Sequence, residues 1–359
     1  MQDKQAYIDF IRYSLETTGN LPYSCKKIDW EDFLLYCNRQ GIIGVVFEGI
    51  KKSGIRKLGN DLYEWISLSE TIKSQNQLVN KRLIEVTQFF EDQGMRSCIL
   101  KGQASGLMYP NPEDRSPGDI DIWVEGERED IIRMVLAVTP HAHYSIHHIK
   151  LPVFSDVSVE VHYRPMYLSN WFKDKKLQRY ISEIEERQFA NRVHFVSEEI
   201  GCLTDDFNAV YQILHMYAHF FSSRNNFKQF IDYYYLLKKG LSEDEKHICA
   251  DKLKEFGIEK FASGIMWIME QVLGLEPELL VIPPNGKIGK IILRESKYFG
   301  TYPTNKLKYV LALYKANFRI VRSFSKEVLI SPFFLVWHQW WKYKIKVALK
   351  TNDKSCDER

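Results

Sequence analysis

"RSPGDIDIWV" (residues 115–124) sets Asp119 and Asp121 into a run that otherwise reads as a buried strand. Successive side chains of a strand point to opposite faces. The two carboxylates therefore project side by side, while Ile120 and Ile122 project from the other face. At an effective dielectric near 20, two such charges a few ångströms apart repel by roughly a few kcal/mol. A solvated edge strand also gives this D-x-D pattern. The chemistry that best rewards it is a divalent cation: Mg²⁺ is a hard ion that wants oxygen ligands, and its charge turns the repulsion into attraction.

The flanking sequence favours the second reading. In "CILKGQASGLMYP", a strand over residues 98–100 runs into Lys101 and Gly102, then into a helical turn that starts at Gln103. Glycine permits close backbone approach, and a helix start offers unpaired N–H groups to an anion. Lys101 and Arg115 add positive charge for phosphates. Downstream, "SDVSVEVHYRP" alternates: Val157, Val159 and Val161 share one face, and Asp156, Ser158, Glu160 and His162 share the other. If this strand lies beside residues 119–124, Glu160 is the natural third carboxylate. Such crowding predicts that neutralising Asp121 or Glu160 leaves the metal-free protein as stable as before, or more so.

Hydrophobic residues make up 45% of the 359 and charged residues 26%, which describes a globular chain rather than a disordered one. The net charge of +3 is too small to argue for nucleic acid, and nothing indicates DNA. The six cysteines form no CxxC pair, which disfavours a zinc ribbon or a disulfide framework and points to a reducing cytoplasm. The start, "MQDKQAYIDF", lacks the apolar stretch of a signal peptide, and no run of 18 apolar residues predicts a spanning helix.

Apolar spacing divides the chain into a helical segment (1–92), a mixed α/β core (93–200), a second helical segment (201–350) and a disordered tail (351–359). The helical pattern of "LYEWISLSETIKSQNQLVNKRLIEVTQFFEDQG" ends at Gly94. Strands are expected at 96–100, 119–124, 143–151 and 157–163, and a Pro/Gly linker at "LEPELLVIPPNGKIGK" (275–290). His141, His143, His147 and His148 cluster before the third of these strands with irregular spacing, which reads as a solvent-facing hairpin in preference to a metal site. His215 and His219, four apart on a helix, have the spacing of a metal pair, but Met216 stands where a zinc protease has its Glu. In "PFFLVWHQWWKYKIK" (332–346), tryptophans alternate with lysines. A helix packed on the domain with its lysines snorkelling is favoured there over peripheral membrane contact.

Strand–Lys–Gly–helix, then D-x-D on a strand, then an acid on a later strand resembles the nucleotidyltransferase superfamily of the polymerase-β type. More narrowly, "LKG" with Tyr109 and Pro110 before "R-x-x-G-D-I-D-I", followed by "VEVHY", resembles the uncharacterised bacterial nucleotidyltransferase family over roughly residues 30–237. The resemblance implies an α+β fold, a small mixed-sheet core flanked by N- and C-terminal helical segments. It implies a Mg²⁺- or Mn²⁺-dependent enzyme that transfers a nucleotidyl group from an NTP to a small-molecule, protein or RNA acceptor and releases pyrophosphate. Asp119, Asp121 and Glu160 would be the catalytic metal ligands. Lys101, Gly102, Gln103 and Arg115 would meet the nucleotide phosphates, and His162, His215, His219, Arg224 and Asp232 would face a substrate cleft. Two positions depart from the superfamily's pattern: Gln103 stands where Ser or Gly follows the glycine, and Glu160 where Asp is commoner. The alternative is a catalytically inactive nucleotide-binding or scaffold protein that keeps the fold.

Overall fold

The computed structural model describes residues 2–330 apart from 17–18, 56–60 and 304, together with Trp337, Trp341, Lys344 and Ile345. Most of the expected C-terminal helix, and the tail, lie outside the described residues. In chain order the elements are α1 (Gln2–Leu15), α2 (Trp30–Gln40), α3 (Ile43–Ser53), α4 (Asp61–Asp92), β1 (Ser97–Ile99), α5 (Gln103–Gly106), β2 (Ile120–Val124), α6 (Arg128–Val138), β3 (His148–Lys150), β4 (Val159–His162), α7 (Trp171–Ala190), β5 (Arg192–Phe195) and β6 (Glu198–Gly201). Helices α8 (Asp205–Ser222), α9 (Phe227–Lys239), α10 (Glu243–Glu255), α11 (Glu259–Trp267), α12 (Gly286–Ser296) and α13 (Lys306–Ile320) follow. The fold is α+β. Among the described residues no helix is long and apolar enough to cross a membrane.

The chain forms two compact units. One comprises Met1–Leu78, Gln103–Pro117 and Asp205–Asn317 and is helical. Its helices start where the local chemistry says they should: Asn226 and Ser242 each form a capping box, with Gln229 and Glu245 respectively. The expected linker at 275–290 is partly helix, because Asn285 accepts a hydrogen bond from the Ile288 N–H and starts α12. Between α11 and α12 the approach is so close that a Cβ on Gly289 would meet the Trp267 ring at 2.4 Å.

The other unit comprises Val79–Gly102, Gly118–Thr204 and the residues from Phe318 onward, and it holds a four-stranded sheet in the order β1-β2-β4-β3. Strand β2 runs antiparallel to β1 and parallel to β4, while β3 is antiparallel to β4. Register joins Ile99, Ile122, Val161 and Ile149 in one row across all four strands. Each is at most 2% exposed, so this row forms the apolar face. Alternation then puts Asp121, Glu160, His162, His148 and Lys150 on the opposite face. All five residues of β2 are buried, so even the polar face is covered at its centre. The strand expected over 143–151 shrinks to β3, joined by an isolated bridge between Tyr144 and Ile149.

Sequence analysis assigned neither α7 nor the β5–β6 hairpin. The hairpin reverses at Val196, whose φ of 56° is uncommon for a β-branched residue, so no glycine or asparagine announces the turn. Its far end lies on β1: Ile99 bridges Cys202, and a Cβ on Gly201 would meet the Ser97 carbonyl oxygen at 2.0 Å. Cys25, Cys37, Cys98, Cys202 and Cys249 are buried and unpaired. Burial pushes the Cys25 thiol up to about 11 and those of Cys202 and Cys249 up to about 12, and holds Cys37 and Cys98 well above the ordinary range.

Candidate active site

Asp121 occupies the middle of the polar face and is 2% exposed. Its neighbour across the parallel register is Glu160, as the alternation of residues 156–162 required. One carboxylate oxygen of Asp121, Oδ1, lies 3.0 Å from His162 Nε2, and the other, Oδ2, lies 3.0 Å from Lys101 Nζ. Lys101 reaches this point from the turn after β1, a turn tied to β2 by the Leu100 N–H donating to the Asp121 carbonyl oxygen. The same ammonium is 3.9 Å from Asp119, whose side chain is 41% exposed just before β2. Gly102 follows with φ +70°, the left-handed conformation that glycine adopts without penalty.

The charges in this cluster act on one another in opposite senses. Burial alone would raise Asp121, but Lys101 and His162 outweigh it and hold its carboxyl well below the usual carboxylate range. Glu160 moves the other way, because burial and then Asp121 and Asp119 push it above that range. Burial pulls the Lys101 ammonium down, yet Asp121 and Asp119 more than restore it. Three carboxylates thus gather around Lys101, with Lys150 3.8 Å from Glu160 beside them, and the excess of acids over lysines favours a further cation. Ligating atoms of Asp121, Glu160 and His162 lie within 4.8 Å of one another. Two carboxylates and an imidazole fit a divalent ion, with the oxygens suiting Mg²⁺ and the added nitrogen suiting Mn²⁺ as well.

Sequence analysis treated His141, His143, His147 and His148 as a solvent-facing hairpin; His141 and His143 are exposed, but the structure corrects the reading for the other two. His147 and His148 are half-buried and pack on His162, with ring centroids 5.2 and 5.3 Å from it. Burial, His162 and His148 press His147 well below the ordinary histidine range, and burial with His162 takes His148 down to about 3. Both are neutral at pH 7. The available signal was Ile149: an apolar residue between His148 and Lys150 fixes which face each occupies.

The remaining sequence candidates belong to the helical unit. Arg115 forms a two-pronged ion pair with Asp232, both contacts 2.8 Å, and Tyr109 donates to the same carboxylate at 2.6 Å. Gln103 donates to Asn76 Oδ1 at 3.2 Å. His215 and His219 meet edge to face on α8 with centroids 4.4 Å apart, and His219 Nδ1 lies 2.7 Å from the Ser223 hydroxyl. Arg224 is fully buried, 3.0 Å from Asn317 Oδ1 and 3.5 Å from Glu295. Of these candidates, Arg115 thus pairs with Asp232, and His215 packs on His219.

Comparison with known proteins adds three findings. The crystal structure of an antigenic nucleotidyltransferase-like protein from Paracoccidioides brasiliensis is similar over 49% of this chain and 87% of its own, at 13% identity and a TM-score of 0.31, a likeness too slight to carry weight. No curated protein matches. The family described as uncharacterised nucleotidyltransferase matches residues 26–274, a span that includes the whole four-stranded sheet and the acidic cluster on its polar face, and the chain belongs to that family.

Proposed function

We propose that the protein is a divalent-metal-dependent nucleotidyltransferase of the polymerase-β type, transferring a nucleotidyl group from an NTP to a hydroxyl-bearing acceptor. The observation that carries this reading is the convergence of Asp121, Glu160 and His162, with Asp119 and Lys101 beside them, on one face of the sheet. Asp119, Asp121 and Glu160 would hold Mg²⁺ or Mn²⁺, which when bound neutralises charge on the triphosphate. Lys101 and the backbone at Gly102 meet the phosphates. Glu160, the acid on the neighbouring strand, would complete the metal site near the acceptor and help to orient or deprotonate it. The acceptor oxygen then bonds to the α-phosphorus as the bond to the β-phosphate oxygen breaks, and pyrophosphate leaves. Residues 93–200 are the catalytic core in this reading, between helical segments. The unpaired thiols support a reducing compartment, the cytoplasm.

A second reading, nucleotide binding without turnover, draws on Lys101. Its ammonium sits 3.0 Å from Asp121, where it competes with a metal for that carboxylate. Incubation with each of the four α-labelled NTPs, with Mg²⁺ or Mn²⁺ and pooled small-molecule, protein and RNA acceptors, tests both. Label transfer with pyrophosphate release that is lost in Asp121→Asn supports the enzyme. Saturable NTP binding with no label transfer supports the second reading, and absence of binding rejects both.

A further inference from the structure

We infer that His147, His148 and His162 form a second metal site, for a late first-row transition ion of the Zn²⁺ class. Their ligating nitrogens lie within 4.8 Å of one another. The closest pair, His147 Nε2 and His148 Nδ1, is 3.1 Å apart. Four nitrogens around Zn²⁺ at about 2.0–2.1 Å stand about 3.3 Å from each other, so this pair already spans close to one edge of a coordination tetrahedron. The three rings also close a triangle, with the His147–His148 centroids 4.5 Å apart and each ring about equally far from His162.

The outer contacts orient these rings as metal-bound imidazoles are oriented. His147 Nδ1 lies 3.3 Å from the Ser145 hydroxyl, and His162 Nδ1 lies 3.4 Å from the Arg164 carbonyl oxygen. With the Nδ1 of each directed at an oxygen, the Nε2 of each is left to ligate. At His162 that nitrogen faces Asp121 Oδ1 at 3.0 Å. A metal there takes the place of the proton that joins the two side chains, and the ionised Asp121 lies beside its charge. His148 Nδ1 is also 3.5 Å from Glu160 Oε2, so an acid is at hand for the fourth position. Tyr167 covers His147 from the other side, with centroids 4.8 Å apart, and His162 is 3% exposed, so the donors are largely screened from water.

The donor chemistry separates this site from the carboxylate cluster. Imidazole favours Zn²⁺, Co²⁺, Ni²⁺ and Cu²⁺, whereas Mg²⁺ dehydrates reluctantly and prefers oxygen. His162 is common to both sets, so an ion on the imidazoles draws that residue away from the acids.

Metal-stripped full-length protein titrated with Zn²⁺, and with Co²⁺ as its spectroscopic stand-in, tests the site. One ion per chain is expected, with the visible band of four- or five-coordinate Co²⁺, undisplaced by excess Mg²⁺. His148→Gln should weaken Zn²⁺ by more than the roughly 10- to 100-fold that loss of an outer partner costs. X-ray absorption on the zinc-loaded parent needs no variant to fold, and should count three imidazoles. Fewer than two imidazoles, a Co²⁺ band unaltered by His148→Gln, or ready displacement by Mg²⁺ would each overturn the assignment.

Discussion

Asp121 and Glu160 lie opposite each other on paired strands, and their surroundings treat them differently. Crowding alone made either acid a candidate for harmless neutralisation, but Asp121 has two partners that the D-x-D pattern could not reveal. Asp121→Asn takes away the carboxylate that lies 3.0 Å from both the Lys101 ammonium and His162 in a buried place, leaving Lys101 the more distant Asp119 at 3.9 Å. A loss of roughly 3 kcal/mol at pH 7 is expected, the low end for breaking a buried pair. Because the folded value lies below the ordinary 3.8, the unfolded chain binds the proton first. The contribution of Asp121 is therefore fully present above pH 3.8 and is lost only as pH falls towards the folded value. Glu160 has the opposite sign. Its folded value lies above the ordinary 4.5, so its charge costs stability as pH rises through that window. Glu160→Gln is expected to hold or raise the melting temperature at pH 7, with the gain vanishing below pH 4.5. Melts of both variants in EDTA from pH 4 to 8 check this; a stable Asp121→Asn protein would show that the Lys101 pair contributes little.

At the scale of elements, the strand–turn–helix around Gly102 ties local conformation to the proposed phosphate contact. A Cβ on Gly102 would find only the Asp119 carbonyl oxygen at 3.5 Å, an ordinary contact, so space is not the obstacle. The φ of +70° is, and Gly102→Ala is expected to cost about 1–2 kcal/mol from backbone conformation. If the backbone there also meets phosphates, Gly102→Val weakens NTP binding far more than Mg²⁺ binding; calorimetry showing equal losses would reduce the residue to a turn former. Strands β2 and β4 were legible because the apolar Ile122–Val124 of one and the strict alternation of the other are strong local signals. Helix α7 was not, since nine of its 20 residues are charged and its start rests on the Asn170 side chain accepting from the N–H groups of Phe172 and Lys173. The β5–β6 hairpin was hidden by its valine turn. His162 was expected in the right place, but its bond to Asp121, and the company of His147 and His148, depend on three strands meeting in register, which no local pattern encodes.

At the scale of the whole molecule, the family match runs through residues of both compact units, so the chain's likeness to its relatives is not confined to the sheet. The two units also divide the buried cysteines. Cys98 and Cys202 belong to the sheet-bearing unit, while Cys25, Cys37 and Cys249 belong to the helical one. A thiol must be exposed and ionised to be alkylated, and burial denies these five both conditions. Each becomes reactive only when its surroundings open, on a schedule set by local stability. The folded chain therefore carries its own clocks, two on one unit and three on the other. Under native conditions with an alkylating agent, site-resolved mass spectrometry is expected to find Cys98 and Cys202 modified in step, and Cys25, Cys37 and Cys249 in step at a different pace. A single pace for all five would mean that the units open as one, and an order that mixes the groups would mean that neither opens as a body. No label need be engineered, because nature has left one thiol or more at the centre of each piece whose opening is to be timed.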